Sequence, residues 1–181
     1  MANQDTMVTG LFRDRESADR AYESVTSRGY SDKDVSLVMS DEARKKHFGA
    51  DHEETELGNK AAEGAGIGGA IGGTVGAIAA AIAAVGTSIA IPGLGLVIAG
   101  PIAAALAGAG AGAATGGIVG ALVGWGIPEE RVKHYEQGLK EGGIVMGVTP
   151  RNDADAAHFA DSWQSYHAEH VYGGPRGGAV Q

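Results

Sequence analysis

Apolar residues recur every second position in a few short stretches of this chain and every three or four positions between them. Met7 to Phe12 (MVTGLF) predicts a short strand. Asp14 is placed to cap the next helix, where Ala18, Ala21, Tyr22 and Val25 recur at core spacing and Gly29 supplies the stop. After a turn at Ser31-Asp32, Val35, Leu37 and Met39 alternate with Ser36 and Val38, the pattern of a half-buried strand. Asp41 to Lys60 is polar and helix-prone, an exposed lead-in to a long glycine-rich stretch. Towards the other end, Pro128 suits a first helical turn and Glu129-Glu130 its positive end. Val132, Tyr135 and Leu139 mark that helix's inner face, and Gly142-Gly143 ends it. Ile144 to Thr149 predicts a strand, Asn152 or Asp153 a cap, and Ala156, Phe159, Ala160 and Trp163 the buried face of a further helix. A last short strand is expected around His170 to Tyr172.

The stretch from Gly64 to Pro128 has another rhythm. It carries no charged side chain and holds 19 of the chain's 31 glycines beside 19 alanines. Gly64, Gly68, Gly72 and Gly76 keep a spacing of four, and so do Gly108, Gly112, Gly116, Gly120 and Gly124. That spacing lines up one stripe of an α-helix, a glycine zipper written twice. Interior glycine costs a helix roughly 0.5–1 kcal/mol against alanine. The ladder Ile67, Ile71, Val75, Ile78, Ile82, Val85 and Ile89 beside the first stripe nevertheless argues for helix over a loose linker. Pro92, Gly93, Gly95 and Pro101 would turn the chain between two arms of about 28 and 26 residues, each roughly 40 Å long. The expectation is a helical hairpin whose two glycine stripes, the proposed self-association residues, face each other.

Without that stretch the element order is β-α-β, then α-β-α-β. The fold class expected is α+β: a ferredoxin-like sandwich with helices on one face and the long glycine-zipper hairpin inserted between strands two and three. The divisions are 1–58 with 128–172 as a discontinuous head, 59–127 as the hairpin, and 173–181 as a mobile tail. Joining Met39 to Gly143 is expected to leave a head that folds alone.

Charge narrows the function classes. A net charge of −8 without any basic run argues against nucleic acid as a partner. There is no cysteine, hence no disulfide framework or thiol chemistry. The amino-terminal residues carry no basic and apolar leader pattern, which makes the cytoplasm the default location.

Several segments resemble one family. MSDEARKKHFG, ETELGNKAAEGAGIGGAIGG, GGIVGALVGWGIPEERVKHYEQGLKEGGIVMGV and the opening GLFRDRESADRAYESVTSRGYSDKDVSLVM are similar to bacterial general stress proteins with a heat-induced stress-protein domain. The likeness spans almost the whole chain and is most specific at the junction before Glu129. It implies a stress-response role with no catalytic residue assigned; His158, Trp163 and Tyr166 lie outside the shared pattern.

No motif points firmly to chemistry. Gly64-Ala65-Gly66-Ile67-Gly68-Gly69 formally matches a dinucleotide-binding loop but lacks the strand that must precede it. His158, His167, Glu169 and His170 could be read as metal ligands; the plainer reading is a solvated helix end, where histidine meets the negative end of the dipole. Glu53-Glu54 and Glu129-Glu130 have no base or nucleophile beside them. The expectation is a non-enzyme without cofactor, metal or small-molecule substrate, assembling as a homo-oligomer through the zipper because an uncovered apolar stripe needs a partner. The alternative is a membrane hairpin, associated with or embedded in the inner membrane and carrying a cytoplasmic head, since each arm exceeds the roughly 20 residues of a span.

Overall fold

A computed structural model describes residues 7–48, 89–91, 95–103, 117–124 and 127–173. The chain is an α+β protein, one antiparallel sheet flanked by helices. Its strands are β1 (Val8–Phe12), β2 (Val35–Ser40), β3 (Ile89–Ile91), β4 (Leu96–Ala99), β5 (Ile144–Val148) and β6 (Glu169–Tyr172). Its helices are α1 (Arg15–Thr26), α2 (Asp41–Phe48), α3 (Gly117–Gly124), α4 (Glu129–Lys140) and α5 (Asp153–Ser165). The strands lie side by side in the order β3-β4-β2-β5-β1-β6, each antiparallel to its neighbours.

Local chemistry sets the boundaries. The Asp14 carboxylate accepts from the Ser17 amide at 2.8 Å and so caps α1. Asn152 does the same for α5, accepting from the Asp155 amide at 2.8 Å. At the end of α4, Gly143 donates to the Gly138 carbonyl and Gly142 to that of Leu139. This pair of bonds is a Schellman motif, and Gly142 takes its left-handed position at φ 88°.

Side-chain alternation sends the strands' residues to two separate cores. On the front face Val8, Phe12, Val35, Leu37, Met39, Ile144, Met146 and Val148 pack under α1 and α5. On the back face Leu11, Val38, Val145, Leu96 and Ile98 pack under α4, through Val132, Tyr135 and Leu139, and under Leu122 of α3. Helices on one face only was therefore too simple. The strand expected to be half-buried, β2, is buried on both sides from Val35 to Met39. Its polar residues are spent inside: the Ser36 hydroxyl accepts from the Ile102 amide at 3.3 Å, and the Ser40 hydroxyl from that of Ala43 at 3.0 Å.

The expected helical hairpin is corrected at its centre. Ile89–Ile91 and Leu96–Ala99 are strands, and β4 pairs with β2 from Leu37↔Ala99 to Ser40↔Leu96. LVIA is apolar throughout because a strand covered on both faces has no polar side, and a run of that kind has no period to distinguish it from helix. The Asp41 amide also donates to the Gly95 carbonyl at 2.6 Å, fixing β4 to the end of β2. Residues 59–88 and 104–116, and with them Gly64, Gly68, Gly72, Gly76, Gly108, Gly112 and Gly116, lie outside the described residues. Gly120 and Gly124 fall in α3, which is eight residues long.

Two partner expectations fall with the hairpin. Among the described residues no helix is long and apolar enough to cross a membrane. The homo-oligomer was argued from an apolar stripe with nothing to cover it. Ile67, Ile71, Val75, Ile78, Ile82 and Val85 of that stripe lie outside the described residues, while Leu96, Ile98, Ile102, Ala103, Leu122 and Ile127 of the same insertion are buried in the chain's own back core. The structure thus gives the zipper-mediated assembly no support.

Candidate functional site

Polar and charged side chains gather at the β6 edge of the sheet. Thr9, on the back face of β1, lies opposite Tyr172 of β6. Tyr135 reaches down from α4 between them. Its hydroxyl donates to the His170 carbonyl at 2.6 Å and lies 2.9 Å from the Thr9 hydroxyl. A phenol has one proton, so the Thr9 hydroxyl is the donor in the second bond. Burial pushes the Tyr135 phenol up to about 12, against the opposing pull of the Thr9 hydrogen bond. It is a fixed neutral donor at physiological pH, not an acid or base.

Around this anchor three pairs join α4 to β6 and to the segment after β1. The His134 and His170 rings stack at 4.5 Å between centroids with 22° between planes. The Arg131 guanidinium sits 4.6 Å from the Tyr172 ring centroid. Arg13 bridges two carboxylates, donating to Glu169 at 2.9 Å and pairing with Glu141. Those two bonds raise the Arg13 pKa further, while the Gln137 amide and then Arg13 hold Glu141 below the ordinary carboxylate range. All three ionic side chains are around two-fifths exposed, so solvent screening leaves each pair a weak tie.

The histidines that could be read as metal ligands are kept apart. His167 ends α5: its amide donates to the Gln164 carbonyl and that of Ala168 to Trp163, a second Schellman motif with His167 at φ 63°. A left-handed backbone costs an L-residue roughly 1–2 kcal/mol. His167→Gly is expected to raise stability by about 0.5–1 kcal/mol after the entropy glycine loses on folding. An unchanged or lowered melting temperature would contradict this reading. His170 belongs to β6, not to the helix, and His158 stays on α5 beside Ser162 at 3.4 Å. No group of three metal-ligating side chains forms among the described residues. Glu129 and Glu130 are exposed in the first turn of α4, and Glu53, Glu54 and the Gly64–Gly69 motif lie outside the described residues.

A second polar centre lies at the opposite end of α5. Asp155 accepts from Arg28 at 2.6 Å, from the Tyr30 hydroxyl at 2.8 Å and from the Asn152 side chain at 2.9 Å. The Arg151 amide donates to Tyr30 at 2.7 Å, and its guanidinium stands 4.1 Å from the Tyr30 ring centroid. The Tyr30 bond, then that of Arg28, holds the Asp155 carboxyl below its ordinary value of 3.8. A depressed folded-state value contributes stability that is fully present above 3.8 and lost as pH falls through the folded-state value. Asp155→Asn is expected to flatten the acid limb of a melting profile taken from about pH 5 to about pH 2. An acid limb as steep as that of the unaltered chain would place the acid sensitivity elsewhere.

Arg13, His134, Glu141 and Asp155 were not singled out by sequence spacing. Tyr135 was visible only as an apolar position, and His134 sits beside it without a pattern of its own. Compared with known protein families, curated proteins and solved structures, the chain matches none. The likeness to general stress proteins and the glycine-zipper reading gain no support from that quarter.

Proposed function

We propose that the chain is a cytoplasmic, non-enzymatic protein acting in the bacterial stress response that its resemblance implies. One observation carries the non-enzymatic part. The two buried polar centres close on themselves: Tyr135 bonds Thr9 and the His170 carbonyl, and Asp155 bonds Arg28, Tyr30 and Asn152. Groups shifted in this way more often mark reactive sites. Here the shifts raise a phenol beyond use and fix a carboxylate in a capping network, which serves architecture.

The strand order β2-β5-β1-β6, with α1 and α5 on the front, supports a ferredoxin-like core. In that reading the residues between β2 and β5 are an insertion that widens the sheet by β4 and β3. Helix α4 then takes the back face that such a sandwich leaves uncovered.

The test has two arms in the source cells. Heat or starvation is expected to raise the amount of the protein, and cells lacking it to survive the same challenge less well. Complementation with Tyr135→Phe, checked for a native fold, is expected to restore survival. An amount that stays constant under stress would overturn the stress role; a folded but inactive Tyr135→Phe would overturn the non-enzymatic one.

A further inference from the structure

The His134–His170 stack joins the helix that covers the back face to the strand at the sheet's edge, and the elements around it are weakly held. β6 has four residues, lies at the end of the sheet, and shifts register against β1 between Thr9 and Leu11. His170 itself holds a left-handed backbone at φ 52°, a conformation that needs neighbours to impose it. Those neighbours are the Tyr135 hydroxyl on its carbonyl and the His134 ring on its side chain.

We propose that the stacked pair is a proton-operated latch: neutral rings hold β6 to α4, and proton uptake by both sets two like charges face to face and releases β6. The first proton is tolerated, because an imidazolium stacks on a neutral ring as a cation on a π face. The second has no such partner.

The surrounding charges favour release. Among the described residues those acting on His170 are His134 and Arg131 from α4, Arg13 from the segment after β1, and Glu169 beside it. Glu169 alone favours the protonated ring, and its carboxylate is already bound by Arg13 at 2.9 Å. Burial first, then the His134 charge, hold His170 below its ordinary value of 6.5. The neutral state's contribution is therefore complete above 6.5 and is lost as pH falls through the lower folded-state value. A metal ion is a poorer reading of the pair. Ring nitrogens bind metals in the ring plane, and two planes stacked at 22° do not converge on one ion.

Release would free the His170 carbonyl from Tyr135 and uncover the β1 edge beside it. The change is local, since β5 and β2 lie deeper in the sheet.

Hydrogen exchange on the full chain, corrected for intrinsic rates, tests the latch between about pH 8 and about pH 5. Protection of residues 168–173 is expected to fall severalfold, while that of 144–148 holds. His134→Gln and His170→Asn each remove one titrating ring, and asparagine accepts the left-handed backbone. Both are expected to abolish the fall, whereas His167→Asn keeps it. Equal protection of β6 at both pH values, or the full fall in both ring variants, would overturn the proposal. Ring titration by NMR serves as a check needing no variant. The Val171 amide is expected to follow the lower of the two imidazole midpoints; an amide that follows neither is also contrary.

Discussion

Gly100→Ala is expected to cost about 3 kcal/mol or more, roughly 10 °C in Tm for a chain of this size. Gly100 follows β4 at φ 90°, and a Cβ there would fall on the Val35 carbonyl oxygen and crowd the Ser36 Cα. Backbone cannot swing aside as a side chain can. Next to it Ile102 donates to Ser36, so the same substitution displaces the hydrogen bond that seats the returning chain on β2. An alanine variant that melts with the unaltered chain would mean that the insertion does not dock where the structure places it.

Joining Met39 to Gly143 through a short linker is expected to abolish cooperative folding, contrary to what element order alone suggests. The deletion removes α2, β3, β4, α3 and α4. It bares Leu11, Val38 and Val145, all fully buried, and leaves the buried Thr9 hydroxyl without Tyr135. Three large apolar side chains at about 1.5–3 kcal/mol each come close to the whole stability of a small domain, about 5–15 kcal/mol. The observable is a thermal transition with dispersed amide resonances. A shortened chain that shows both would mean that the front layer is self-sufficient.

These two expectations also mark how far the sequence could be read. The strands β1, β2, β5 and β6, the caps at Asp14 and Asn152 and the stop at Gly142 come from local chemistry, which a single chain displays openly. What β2 packs against does not. Ser36 and Val38 read as the open side of a half-buried strand; Val38 is fully buried, and the Ser36 hydroxyl accepts from the amide of Ile102, 66 residues away. LVIA lies between Pro92 and Pro101, in the stretch expected to turn the chain between the two arms; a run of four apolar residues has no period of its own, and only burial on both faces makes it a strand.

The β6 cluster was hidden for a related reason. His134 and His170 are separated by a helix end, a strand, a loop and another helix, and no spacing rule connects them. Their stack depends on α4 crossing close above the sheet. Gly138 permits that approach: a Cβ at its position would strike the Leu11 side chain of β1. No spacing rule marked the glycine or what it lies against. His170 was likewise placed near a strand by sequence, but its positive φ and its ring partner are tertiary facts.

Whether the apolar insertion is part of the chain's own sheet is tested most directly by amide exchange on residues 96–99. With β4 paired to β2 and buried on both faces, these amides are expected to exchange as slowly as those of β5, close to the rate set by global unfolding. Exchange of residues 96–99 at the rate of an open loop, with β5 still protected, would contradict it.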